Sequence, residues 1–219
     1  MKKGLSELIF ILDRSGSMSS LKYDVIGGFN SLIEKQKQEE GEAYVSTILF
    51  DTNIEKLHDH IDIKKIAPMT TDEYEPMGMT ALLDAIGITI DSVGKRLSET
   101  PEDERPEKVI IAITTDGEEN SSREYTKAQI KEKIEHQQNK YSWTFIFLGA
   151  NMDAVGEAIN LGINANFASN WTTSATGLYA HTEGLATAMS NLRTCDCSTT
   201  CDAAINAIKS IDISLESSN

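Results

Sequence analysis

Residues 8–19 read LIFILDRSGSMS, and the fold that we expect for the chain follows from their pattern. The five apolar residues at its start suit a β-strand that is covered on both faces, as in a parallel sheet flanked by helices. The apolar run ends at Asp13, and a helical pattern of apolar residues begins by Leu21. The chain therefore turns tightly between the carboxyl end of a strand and the start of a helix, which is where open α/β sheets bind their ligands.

Three oxygen-bearing side chains, those of Asp13, Ser15 and Ser17, lie on this predicted turn. One carboxylate and two hydroxyls are hard oxygen ligands of the kind that suits Mg²⁺ or Mn²⁺. The same D-x-S-x-S pattern is also compatible with an ordinary helix entrance, at which Asp and Ser bind free backbone amides. This short pattern by itself leaves both interpretations open.

Two later stretches carry further oxygen ligands. Thr80, in Gly78-Met79-Thr80, comes just before a helical stripe of apolar residues, so it is either an N-cap or a third hydroxyl ligand. Asp116 follows the apolar strand at 109–113 and is either an Asx-turn residue or a second carboxylate ligand. Because the carboxyl ends of parallel strands meet at one edge of a sheet, we expect Asp13 and Asp116 to emerge together.

The order of strand and helix patterns along the chain predicts an α/β fold. We expect a doubly wound, Rossmann-like, mostly parallel sheet with helices on both faces. Residues 43–50 and 54–60 predict a hairpin, which places one antiparallel strand at the edge of the sheet. Alternating Ile163, Ala165 and Phe167 predict a further edge strand.

The length of 219 residues and the hydrophobic content of 40% fit one globular domain. We expect this domain to cover residues 1–193, with a C-terminal extension at 194–219 that is a short helix or partly disordered. Neither G-x-G-x-x-G nor G-x-x-x-x-G-K-[ST], the glycine-rich phosphate-binding patterns, follows any predicted strand.

The net charge of −14, from 20 basic and 34 acidic residues, argues against some classes of partner. Nucleic acids and anionic membrane surfaces both require basic patches, so we expect neither as the main partner. No apolar stretch approaches the ~20 residues that cross a bilayer. We therefore expect a cytoplasmic protein.

The three cysteines, Cys195, Cys197 and Cys201, all lie in one short segment. An odd, clustered count is not a disulfide framework. A zinc site would need a fourth ligand, for which His181 is the nearest preceding candidate. We expect reduced thiols in a loop or at the start of a helix.

Taken in order, the three oxygen-bearing stretches resemble the metal-ion-dependent adhesion site of von Willebrand factor A domains. That site is written as D-x-S-x-S in the first loop, a Thr in the second and an Asp in the third, and Asp13, Ser15, Ser17, Thr80 and Asp116 match these positions. The resemblance covers roughly residues 5–167 and points to the small stand-alone bacterial or phage members. It implies that the hydroxyls bind a divalent cation directly and that the two aspartates bind it directly or through water.

The resemblance also implies a binding module and not an enzyme. A bound Mg²⁺ or Mn²⁺ ion, with Ca²⁺ less expected, would accept a Glu or Asp oxygen from a protein partner at a position facing solvent. Stand-alone bacterial members of the family often work alongside ATPases or stress-resistance complexes, and the resemblance extends this expectation to the partner of this chain.

Two other functions are compatible with the same residues. A Mg²⁺-dependent phosphohydrolase would use Asp13 as its nucleophile at the same sheet edge. The haloacid-dehalogenase-like pattern, however, has a second Asp where this chain has Ser15, and no histidine lies beside a site motif to activate a seryl nucleophile. The other alternative is a structural domain that has lost metal binding, but nothing in the five residues indicates such a loss.

Overall fold

The computed structural model describes residues 1–195 and 201–216. Within these residues the chain forms six β-strands, six α-helices and three short 3₁₀ helices. None of these described helices combines the length and the apolar character that a membrane span requires. The elements, in chain order, are β1 (Lys2–Asp13), a 3₁₀ helix (Gly16–Leu21), α1 (Lys22–Gln38), β2 (Glu42–Phe50), β3 (Ile54–Asp62), a 3₁₀ helix (Ile63–Lys65), α2 (Leu82–Glu99), β4 (Pro106–Thr115), α3 (Lys127–Tyr141), β5 (Thr144–Gly149), α4 (Ala154–Asn160), a 3₁₀ helix (Ala165–Phe167), β6 (Ala168–Asn170), α5 (Ala175–Thr194) and α6 (Asp202–Glu216).

The six strands form one sheet in the order β3-β2-β1-β4-β5-β6. All neighbouring strands are parallel except β3, which pairs antiparallel with β2 at the edge of the sheet. This confirms the doubly wound, mostly parallel sheet with one antiparallel edge strand that the sequence predicts.

Strand β1 lies in the middle of the sheet and is covered on both faces. Its residues Leu8, Phe10 and Leu12 pack in the core on the side of α1, α5 and α6. Ile9 and Ile11 point the other way, into the core on the side of α2, α3 and α4. All five side chains are buried, which explains why the strand is a continuous apolar run and not an alternating one.

Helix α6 contributes to the core on the α1 and α5 side. Its residues Ala204, Ile208 and Ile211 are buried there. It packs so closely on α5 that a Cβ on Gly184 would lie 2.4 Å from Ile211 Cγ1, so this position requires glycine. The predicted C-terminal extension thus contains a packed helix, while its residues 196–200 and 217–219 lie outside the described part of the chain.

The prediction of an edge strand at residues 163–167 is wrong. The side chain of Asn164 instead accepts a hydrogen bond from the Asn166 N–H and caps the 3₁₀ helix Ala165–Phe167. The last strand, β6, begins only at Ala168, where pairing with β5 starts. The apolar residues at both ends of this segment are buried, so their alternation reflects burial and not a strand.

Candidate metal centre

Two adjacent parallel strands bring three of the predicted ligands into contact at one edge of the sheet. In the pairing of β1 with β4, Leu12 lies opposite Thr114, so the loops that follow the two strands start side by side. Ser17, in the 3₁₀ helix after β1, donates a 2.6 Å hydrogen bond to Oδ1 of Asp116. The hydroxyl oxygens of Ser15 and Ser17 are 3.0 Å apart. The three side chains form a continuous chain of oxygen atoms.

Asp13, the last residue of β1, is hydrogen-bonded to Ser15 of this group and to Thr115, the neighbour of Asp116 in the sequence. Its Oδ1 accepts a 2.7 Å hydrogen bond from the backbone N–H of Ser15, and its Oδ2 accepts a 2.6 Å hydrogen bond from the Thr115 hydroxyl. The residue is only 1% exposed. Asp13 therefore does bind a free amide, as one interpretation of the sequence proposes, and it also links the loop after β1 to the end of β4.

Hydrogen bonds hold the loop that carries Thr80 against both the loop after β1 and the loop after β4. The Gly16 N–H donates to the Gly78 carbonyl at 3.2 Å, and the Thr80 N–H donates to Asn120 Oδ1 at 2.9 Å. The N-cap of α2 is Ala81, so of the two interpretations of Thr80 the N-cap is wrong. Within the described residues the Thr80 hydroxyl has no hydrogen-bond partner, which leaves it able to bind a ligand.

The free backbone N–H groups at the start of α2 donate to side chains of the loop after β4 and not to Thr80. Glu119 accepts a 2.9 Å hydrogen bond from the Leu83 N–H, and Ser122 Oγ accepts a 3.0 Å hydrogen bond from the Asp84 N–H. In return, the Asp84 carboxylate accepts three backbone N–H groups of residues 123–125, at 2.7 to 2.9 Å. This reciprocal capping fixes the two loops relative to each other.

Arg14 lies between two predicted ligands in sequence, but its side chain points away from them. Its guanidinium forms ion pairs with Asp51 at 3.0 Å and with Glu55 at 2.8 Å. The backbone carbonyl of Asp51 accepts the Ala81 N–H at 2.9 Å. Arg14 and Asp51 thus connect the loop after β1, the loop after β2 and the start of α2.

The two aspartates concentrate negative charge at the site. Burial raises the pKa of Asp13 above its usual value, and the charge of Asp116 raises it further. Burial likewise raises the pKa of Asp116. Neither carboxyl forms an ion pair with a basic side chain of the described residues. A bound cation would favour the ionised form of both groups.

The spacing of the oxygen atoms fits a small hard cation. Six oxygens placed octahedrally at about 2.1 Å from Mg²⁺ have neighbours about 3 Å apart. The Ser15–Ser17 and Ser17–Asp116 oxygen distances are 3.0 Å and 2.6 Å. Each of these two spacings is compatible with adjacent positions around such an ion, and each is also an ordinary O–H···O hydrogen-bond distance.

Several residues that support the site were not predicted from the sequence. Thr115 and Asn120 are two of them. A third is Asn151, whose side-chain amide donates to the Asp116 carbonyl at 3.2 Å. Arg14 and Asp51, which form an ion pair, are the others. Thr115 directly precedes Asp116, so its place in the sequence could have indicated a role at the site. The others lie far from their partners in sequence, where local patterns carry no information.

No protein-family model and no curated protein matches this sequence. Solved structures do match it. The mussel byssus protein PTMP1, solved with zinc in its metal-ion-dependent adhesion site, is 17% identical with a TM-score of 0.56, over 84% of this chain and 45% of its own. The manganese-loaded TRAP protein of Plasmodium vivax is 15% identical with a TM-score of 0.55, over 82% of this chain and 72% of its own. A von Willebrand factor type A protein from Catenulispora acidiphila is 15% identical with a TM-score of 0.56, over 87% of this chain and 43% of its own.

The chain has a von Willebrand factor A fold. At such low identities the likeness establishes the architecture, and the chain spans less than half the length of the mussel and Catenulispora proteins. In this fold, the loops after β1 and β4 and the loop before α2 converge at the carboxyl edge of the sheet.

Proposed function

We propose that this von Willebrand factor A domain is a divalent-metal-dependent protein-binding module. Ser15, Ser17 and Thr80 bind Mg²⁺ or Mn²⁺ through their hydroxyls, and Asp13 and Asp116 contribute their charges directly or through water. A coordination position that faces solvent then takes a Glu or Asp oxygen from a partner protein. The contact between Ser17 and Asp116 carries this proposal, because it joins two loops through two oxygens at ligand spacing.

The charge balance of the site supports docking of an acidic side chain. Two carboxylates and three neutral hydroxyls balance a divalent cation without an excess of negative charge. The ion therefore retains its attraction for a further carboxylate, and Mg²⁺ exchanges a bound water for such a ligand without rebuilding its site. The zinc of the mussel protein and the manganese of the Plasmodium protein support a divalent ion in this fold.

Two contacts favour binding over phosphoryl transfer. Both carboxylate oxygens of Asp13 accept hydrogen bonds within the protein, and the residue is only 1% exposed, so its carboxylate is not presented to a substrate phosphate. The guanidinium of Arg14, the cation nearest to the motif in sequence, is committed to Asp51 and Glu55 and so does not face a substrate phosphate.

Metal-dependent capture of a partner tests the proposal. The immobilised protein is mixed with a lysate of its source cells in Mg²⁺ and in a chelator, and Thr80→Val and Thr80→Ser are run beside it. We expect a protein that is captured in Mg²⁺ and by Thr80→Ser, and that is lost in the chelator and with Thr80→Val. Replacing acidic residues in the purified partner should then identify the docking side chain. Capture that is indifferent to both the chelator and Thr80→Val contradicts the proposal.

A phosphatase assay with p-nitrophenyl phosphate and Mg²⁺ separates the binding module from the phosphohydrolase alternative. We expect no turnover above the buffer rate. Robust turnover that disappears in Asp13→Asn would favour the enzyme.

A further inference from the structure

The segment between α5 and α6 carries one cysteine at each end, and the structure brings these two cysteines together. The backbone N–H of Cys195 donates to the Asn191 carbonyl at 2.9 Å. The Sγ atom of Cys201 lies 3.7 Å from the same carbonyl oxygen. The Cys201 thiol is also in hydrogen-bonding contact with the Cys195 side chain. Two thiols that lie apart in the sequence thus meet at the last turn of α5.

The end of α5 and the start of α6, which carry the two cysteines, are each fixed by contacts with the rest of the domain. On the α5 side, the Lys108 ammonium donates to the carbonyl oxygens of Leu192, at 2.8 Å, and of Cys195. The Arg193 guanidinium donates to the Gln36 carbonyl at 2.7 Å, which fixes the end of α5 on α1. On the α6 side, the buried apolar face of the helix packs into the core. The two thiols therefore stay close without a change in the fold.

The two cysteines differ in exposure. Cys195 is half-buried and can be reached by a small reagent, whereas Cys201 is only 5% exposed. Burial raises the pKa of the Cys201 thiol, and the nearby positive charge of Lys108 opposes this effect. Oxidation depends on access and on the thiolate form, so Cys195 is the thiol that reacts first and Cys201 is the one that resolves the product.

We propose that Cys195 and Cys201 are an oxidisable thiol pair that a peroxide converts into an intramolecular disulfide. The Cys195 thiolate attacks a peroxide oxygen, the O–O bond breaks, and a sulfenic acid and one water form. The Cys201 thiolate then attacks the sulfenic sulfur, the S–O bond breaks, and a second water leaves as the S–S bond forms. In total the two thiols lose two protons and two electrons, and hydrogen peroxide is reduced to two waters.

The thiol pair lies at the opposite edge of the sheet from the candidate metal centre. Lys108, which contacts the carbonyl of Cys195, is near the start of β4, whereas Asp116 follows the end of that strand. The disulfide would fasten the start of α6 to the end of α5 and leave the loops that carry Ser17 and Asp116 unchanged. The proposal therefore stands apart from the metal-dependent function.

Peptide mapping after oxidation tests the pair. The full chain is treated with hydrogen peroxide under native conditions, remaining thiols are alkylated, and the linked peptides are identified by mass spectrometry. We expect a Cys195–Cys201 link and the loss of both thiols, reversed by dithiothreitol. Cys197→Ser, at a position outside the described residues, is the matched control and should form the same link. In Cys201→Ala, dimedone should trap a sulfenic acid on Cys195.

Other products of this experiment overturn the proposal. They are a link between Cys195 and Cys197, a link between two chains, and conversion of Cys195 to sulfinic acid without a link in Cys197→Ser. Cys195→Ser serves as a second variant if Cys201→Ala does not fold, and it should leave Cys201 in the thiol form after treatment. Labelling or oxidation of Cys201 at the wild-type rate in Cys195→Ser would likewise contradict the assigned order of reaction.

Discussion

The hydroxyl of Ser17 donates a 2.6 Å hydrogen bond to Oδ1 of Asp116, a residue 99 positions further along the chain. The contact joins the loop after β1 to the loop after β4 through two side chains whose oxygen lone pairs can bind a cation. In the proposed metal-bound form, these oxygens turn their lone pairs to the cation and the hydroxyl proton faces elsewhere. Metal binding at the proposed site would therefore rearrange this hydrogen bond.

Asp116→Asn should abolish metal-induced stabilisation without destabilising the metal-free protein. Burial raises the pKa of this carboxyl, so its charge is unfavourable in the folded state when no cation is present. For the wild type, Mn²⁺ at a hundredfold excess over Kd should add about 2.7 kcal/mol to the free energy of unfolding. Thermal melts with and without Mn²⁺ measure both quantities. Glu118→Gln, an exposed carboxylate two positions away, is the control, and a full Mn²⁺ shift in Asp116→Asn would refute the role of this residue.

Replacement of the Thr80 hydroxyl should weaken metal binding selectively. Thr80→Val keeps the shape of the side chain and the backbone contact with Asn120, and the hydroxyl that it removes has no partner within the described structure. We therefore expect little change in the metal-free melting temperature and a Mn²⁺ Kd that rises at least tenfold. Thr80→Ser restores the hydroxyl and should restore the affinity. Equal Mn²⁺ titration curves for the valine and serine variants would show that Thr80 is not a ligand.

Arg14→Met should destabilise the whole domain. The side chain of Asp51 is 1% exposed, and removal of its guanidinium partner leaves a buried charge without compensation. Loss of one partner of a buried pair costs about 3–5 kcal/mol. Urea unfolding measures this cost, and Asp51→Asn in the same chain should recover part of it. Lys131→Met, which breaks the exposed pair with Glu135, is the control and should have a much smaller effect.

His181 should make the domain sensitive to acid. Burial lowers its pKa from 6.5 to about 3. Below about pH 6.5 the unfolded chain therefore takes up a proton that the folded chain does not, and stability that is present above pH 6.5 is lost as the pH falls. From about pH 7.5 to about pH 5 the free energy of unfolding should fall by about 2 kcal/mol from this residue alone.

The difference between the wild type and His181→Gln isolates this contribution, because the other titrating groups are common to both chains. Urea unfolding at the two pH values should show a steeper loss for the wild type. His136→Gln, at an exposed position, should behave like the wild type. Parallel pH profiles for wild type and His181→Gln would contradict a neutral, buried histidine.

The positions of Asp13 and Asp116 could be predicted from the sequence because two apolar strands end on them, and parallel neighbouring strands must bring their ends to one edge. The support for Thr80 could not be predicted in this way. Its contact with Asn120 and the capping of α2 by Glu119 depend on how the loop after β4 folds over the helix, which local patterns do not encode.

The segment around Asn164 shows a second reason why the sequence pattern does not fix the structure. Alternating apolar residues record which side chains are buried, and here a capped 3₁₀ turn produces the same alternation as a strand. The direction of the Arg14 side chain could not be predicted either, because it depends on Asp51, in the loop after β2, and on Glu55, in β3.

The most direct test of the metal-centre proposal is a crystal structure of the protein soaked with Mn²⁺, with the ion located from its anomalous signal. We predict one strong peak about 2–2.5 Å from the hydroxyl oxygens of Ser15 and Ser17, with Thr80 and Asp116 around the same ion and a water or an acidic side chain on the solvent side. A peak elsewhere, or none at this edge of the sheet at millimolar Mn²⁺, would contradict the metal-centre proposal.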